Sequence, residues 1–226
     1  MNLVASADPA PVLECIRRVA HGAARSLVIA SVLCGGAVQA GGVNVSVTDA
    51  AGRPLLRAVV SLESVAGKLP VKPIPSIEVS QVKRQFNPQV MAVTVGTPVV
   101  FANFDTVRHH VYSFSPAKTF ELKLYAGVPN TPVVFDKPGV AVIGCNIHDQ
   151  MALWIAVLDT PYYGVTGADG KARVPAVAAG SYRLKVWHPG LSGTTDGVVS
   201  AVTVGANDID QAVQLKVGDN PLAPGP

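Results

Sequence analysis

The chain has 226 residues, enough for one medium domain or two small ones. It is 49% hydrophobic, 15% charged and 6% aromatic, with 21 Gly and 18 Pro, a balance that favours short strands and turns over long helices. The net charge of +3 is dispersed, with no run of Lys or Arg and no interleaved aromatics, which argues against a nucleic-acid surface.

The N-terminus has the pattern of an export address. Arg17, Arg18 and Arg25 precede the apolar run Ser26 to Val38, followed by Gln39, Ala40 and Gly41. A basic region, a short apolar region and small residues at the cut predict a signal peptide over 1–40, cleaved between Ala40 and Gly41. The apolar run falls short of the roughly 20 residues of a membrane span. A periplasmic or secreted protein with no membrane span after signal removal is therefore expected. Cleavage would remove Cys15 and Cys34 and leave Cys145 as the one cysteine. A lone thiol in an oxidising compartment calls for burial, pairing between chains or a metal.

Beyond residue 41, strand patterns dominate. Val43, Val45 and Val47 alternate with polar residues, 49–54 is a turn, and 58–62 is a second strand. Residues 67–88 are less regular. Met91, Val93 and Val95 alternate before a break at Gly96-Thr97-Pro98. Strands follow over 99–103, 109–114, 131–135, 140–144 and 153–158, with a turn at Asp105 whose charge could tune a nearby site. In the last third, Gly167-Ala168-Asp169-Gly170 and Ala179-Gly180 are turns. Tyr182, Leu184 and Val186 alternate, strands are expected over 198–204 and 209–217, and 218–226 is expected to be a disordered tail.

Cys145, His148 and Met151 stand as C-x-x-H-x-x-M. Thiolate, imidazole and thioether suit copper, and a second imidazole would complete a His2Cys plane with a weak axial Met. Zinc would favour another Cys or His over Met. A thiol enzyme built on Cys145 and His148 would need an orienting third group. His109 and His110 are both candidates for the second imidazole. They point to opposite faces of one strand, and alternation alone does not choose between them. His188, at a strand end elsewhere in the chain, is expected to be structural, and Trp154, Tyr162 and Tyr163 are expected to pack in cores.

At these residues the sequence resembles the cupredoxin family, and within it the amicyanins, which share the C-x-x-H-x-x-M spacing. Phe101-Ala102-Asn103 followed by His109 resembles the stretch in which an Asn precedes the first ligand His by six residues. The resemblance covers roughly residues 85–158. It implies a metal set of His109, Cys145, His148 and Met151 holding one mononuclear, type 1-like copper ion. His110 stands where the family has the Asn that ties the two ligand loops together. Asn146, Asp149 and Gln150 make this loop more polar than is usual there. The implied role is a one-electron carrier cycling Cu(II) and Cu(I), not an enzyme, meeting a transient redox partner. The alternatives are a periplasmic copper carrier or buffer, and a non-metal β-sandwich interaction protein.

Residues 43–62 and 166–189 also resemble the early and late strands of carboxypeptidase regulatory-like, transthyretin-like sandwiches. The expected fold is all-β: a cupredoxin-like Greek-key β-sandwich over 66–159, inserted into a second small β-sandwich made of 41–65 and 160–217.

Overall fold

The computed structural model describes residues 40–191 and 197–218. The expected signal peptide, apart from Ala40, and the expected tail, apart from Gly218, lie outside the described residues. Within them there are sixteen strands and no helix. The all-β fold expected from the sequence is what the chain adopts, as two β-sandwiches.

The first sandwich begins with β1 (Ala40–Asp49) and β2 (Val59–Ser64). The chain then leaves it and returns through β12 (Tyr163–Val165), β13 (Lys171–Ala178), β14 (Gly180–Trp187), β15 (Val198–Val204) and β16 (Ile209–Leu215). One sheet has the order β13-β1-β16 and the other β12-β2-β14-β15. Val43 of β1 faces Val174 across an antiparallel pair and Ile209 across a parallel one. The alternation of Val43, Val45 and Val47 turns all three inward onto Leu62, Leu184, Val186 and Leu215, burying apolar area that stabilises the sandwich.

The second sandwich comprises β3 (Ile77–Val82), β4 (Gln85–Asn87), β5 (Val90–Thr94), β6 (Thr97–Asn103), β7 (His109–Ser115), β8 (Lys118–Tyr125), β9 (Val133–Phe135), β10 (Gly139–Cys145) and β11 (Ala152–Leu158). Its sheets run β4-β3-β6-β9 and β5-β11-β10-β7-β8. Phe86, Phe101, Phe135, Ile143, Leu153 and Ile155 fill the space between them. The strands at β3 and β4 fall in the stretch expected to be irregular. Their inward positions alternate as Val79 and Gln81, and the buried Gln81 hides the apolar period. The sequence expectation also assigns no strand to β8, although Phe120 and Leu122 alternate there with Glu121 and Lys123.

The two crossings between the sandwiches lie side by side. The Leu62 N–H donates to the Tyr162 carbonyl (2.9 Å), and the buried Thr160 hydroxyl donates to the Leu62 carbonyl (2.6 Å). Val59 and Trp187 of the first sandwich pack on Val90 and Ala156, on the outer face of the five-stranded sheet. Trp154 joins this junction, and Tyr162 packs edge-on to Tyr182 with ring centroids 5.8 Å apart.

Candidate metal centre

Two loops at one end of the second sandwich carry the expected ligands. The first joins β6 to β7 and is shaped by the buried Asn103. Its Nδ2 donates to the carbonyls of Val107 and Tyr125 (both 2.9 Å), and its Oδ1 accepts from the Asp105 N–H (2.9 Å). Satisfying donors and acceptor together fixes the loop that delivers His109 at the start of β7. There the pleat separates the two imidazoles. His109, Val111 and Ser113 are buried, while His110, Tyr112 and Phe114 face outward, with Phe114 78% exposed.

The second loop runs from Cys145, the last residue of β10, to Met151, just before β11. Cys145 pairs with Val111 of β7, which holds the thiol beside His109. The Asn146 N–H donates to the His110 carbonyl (3.0 Å), so backbone ties the two loops. The Met151 N–H donates to the His148 carbonyl (2.9 Å), closing a tight turn.

The structure brings Cys145, His109 and His148 together. Sγ of Cys145 lies 3.7 Å from Nδ1 of His109 and 4.0 Å from Nδ1 of His148. The three donor atoms lie within 4.8 Å of one another, the one such group of His, Cys, Asp or Glu among the described residues. The two imidazoles meet edge to face with centroids 5.1 Å apart. His109 is wholly buried, Cys145 is 3% exposed and His148 is half-buried. Met151 is buried in the same core cluster as Cys145. His110 turns away and pairs through Nε2 with Glu121 (2.9 Å). His188 sits in the other sandwich, where its Nδ1 accepts from the Gly190 N–H (2.9 Å).

The donor set fits a small, thiophilic ion. Metal–nitrogen and metal–sulfur bonds of about 2.0–2.3 Å, opened to a trigonal angle, separate the donors by about 3.7 Å, close to the two spacings here. Cys145 is free of any disulfide.

Further residues surround the ligands. Asp105 accepts from Nε2 of His109 (2.8 Å) and from the N–H groups of Lys83 (2.6 Å) and Arg84 (2.9 Å). Burial would raise the Asp105 carboxyl, but the hydrogen bonds from His109, Arg84 and Lys83 outweigh it and hold the carboxyl below its usual value. Because Nε2 of His109 donates, its Nδ1 presents a lone pair toward Cys145. Tyr125, the register partner of His109, donates its hydroxyl to the Phe101 carbonyl (2.7 Å) and is met by Nε2 of Gln81. Burial first, and then the Cys145 charge, push the Tyr125 phenol up to about 12, against the Gln81 hydrogen bond. Gln81 and Tyr125 gave no signal in the sequence, because only the paired sheets bring them under the ligand loops.

A family profile described as polysaccharide lyase family 4, domain II, matches residues 139–211, from β10 into β16. No curated protein matches the chain. Among solved structures, the chain is similar to a purple cupredoxin from Nitrosopumilus maritimus, with 20% identity over 36% of this chain and 99% of that one, at a TM-score of 0.32. It is similar to a Cu-containing nitrite reductase from Thermus scotoductus SA-01, with 25% identity over 50% of this chain and a TM-score of 0.35. The match spans 28% of the nitrite reductase chain. Amicyanin from Paracoccus versutus is similar at 14% identity, over 41% of this chain and 96% of that one, with a TM-score of 0.32.

Proposed function

We propose that this chain is an exported copper protein that carries one electron at a time, with residues 66–159 as its copper domain and 41–65 with 160–217 as a small accompanying sandwich. The observation that carries the reading is the convergence of the Cys145 sulfur and two imidazole nitrogens within 4.8 Å. His109, Cys145 and His148 would hold the ion, with Met151 as the weak fourth donor. A copper ion bound there would supply one-electron chemistry between Cu(II) and Cu(I). The protein's part is to keep the donors nearly fixed. Cys145 and His109 are anchored on paired strands, and burial of both keeps water from the thiolate. His148, half-buried in a loop whose neighbours Asn146, Ile147, Asp149 and Gln150 are exposed, brings its imidazole near the surface. A transient redox partner would meet the site there, through a small interface.

A second reading has one observation in its favour. Asp105, His109 and Cys145 form a carboxylate–imidazole–thiol chain, the arrangement of a nucleophilic cysteine. Such a thiol must reach a substrate carbonyl, yet Cys145 is 3% exposed and His109 is wholly buried. Burial and the second converging imidazole favour the metal.

An optical redox titration of the copper-loaded protein tests the carrier reading. One reversible electron per bound copper, at one copper per chain, is expected. A protein that keeps only Cu(I) and passes it quickly to a chelator would instead be a copper buffer or carrier. Function preserved in Cys145→Ala would point to a non-metal interaction module.

A further inference from the structure

Asp105 stands outside the four expected ligands, yet it joins two unrelated parts of the sandwich. On one side it accepts from His109; on the other it accepts from the turn between β3 and β4. That turn holds Lys83 and Arg84 at φ of 54° and 58°, left-handed at two consecutive side-chain-bearing residues. L-residues rarely adopt this conformation, because the Cβ crowds the following carbonyl oxygen. Strain of this kind persists where surrounding contacts over-determine it, and here both turn N–H groups end on one carboxylate. Among the described residues, His109 is the one side-chain ion-pair partner of Asp105. Its side chain is 13% exposed.

We propose that Asp105 is the positioning residue of this metal centre: it locks His109 with Nδ1 toward Cys145, and its negative charge favours Cu(II) over Cu(I). The proposal rests on the copper reading above. A carboxylate that takes the second ring N–H of a ligand histidine fixes its tautomer and raises its basicity. A fixed negative charge one imidazole away from the ion stabilises its more positive state. The strained turn is then the brace that holds the carboxylate in place.

Asp105→Asn keeps an acceptor for His109 and removes the charge; Asp105→Ala removes both. Both would be compared with the unaltered protein in copper affinity, midpoint potential and, without copper, the His109 tautomer by nitrogen NMR. Asp105→Asn is expected to retain copper while its preference for Cu(I) over Cu(II) rises about tenfold, a shift of about 59 mV upward for one electron. Asp105→Ala is expected to weaken Cu(II) binding by about 10–100-fold and to lose the Nε2–H tautomer. Should Asp105→Ala fold poorly, Lys83→Asn with Arg84→Gly supplies residues suited to the turn, and the comparison is made in that background. A midpoint potential unchanged in Asp105→Asn, with the Cys145-dependent copper band intact, would overturn this proposal and leave the copper reading standing. An Nδ1–H tautomer in the unaltered protein would overturn it as well. Failure of the unaltered protein to take up copper would overturn both.

Discussion

His109 and His110 differ by one position and by a whole face of the sheet. The inner imidazole has Cys145 on one nitrogen and Asp105 on the other, whereas the outer one has Glu121. His109→Ala should therefore weaken copper binding by more than about 100-fold, beyond the loss typical of a supporting residue. His110→Ala should leave the affinity within about threefold, since the loop tie it offers is its backbone carbonyl. Competition with a chromophoric chelator measures both; equal losses would contradict the assignment. At this scale the sequence was informative where partners are local. Cys145, His148 and Met151 lie within seven residues, so their spacing alone suggests a shared ion. The choice of His109 needed the resemblance to amicyanins, because alternation is symmetric between faces. The brace of Asp105 on Lys83 and Arg84 was invisible, since it closes across more than twenty residues.

Elements explain the remaining departures from the sequence expectation. β3 presents Gln81 where an apolar residue would mark the strand, and the edge strand β8 alternates Phe120 and Leu122 with Glu121 and Lys123 but places Leu124 outward. Strands with clean alternation, such as β1 and β14, were legible because each buries one face against a single core. The turn before β13 also shows why a particular residue stands at one point. Gly170 has φ of +71°, and an added Cβ would lie 2.6 Å from the Val47 carbonyl oxygen. That oxygen accepts from the Leu55 N–H (2.9 Å), a bond that its withdrawal would stretch. Gly170→Ala should destabilise the fold by more than about 1 kcal/mol, read as a lower urea midpoint. An unchanged midpoint would contradict the described turn.

Across the whole molecule, the two sandwiches share the small apolar junction of Val59, Val90, Ala156 and Trp187. Trp187→Ala should cost about 3 kcal/mol and separate denaturation into two steps, one followed by the copper chromophore and one by strand content. A single coincident transition after that substitution would show that the crossings, not the junction, couple the sandwiches. Stability should also depend on His188. Burial pushes its imidazole below the usual value, so the folded chain holds it neutral while the unfolded chain takes up a proton near pH about 6.5. The unfolded state then binds more protons, and stability falls as pH drops from about 6.5 toward the lower folded value. His188→Asn, which keeps an acceptor for the Gly190 N–H, should lessen that fall. Urea midpoints at about pH 7.5 and about pH 5 give the comparison, and identical pH dependence in the two proteins would contradict it.

Copper held by the Cys145 sulfur between two imidazoles, as proposed, leaves its signature in the visible absorption spectrum of the protein loaded with Cu(II). A strong thiolate-to-copper band is expected at one copper per chain, absent in Cys145→Ser and retained in His110→Ala. A colourless protein that does not hold copper, or a band that survives in Cys145→Ser, would contradict it.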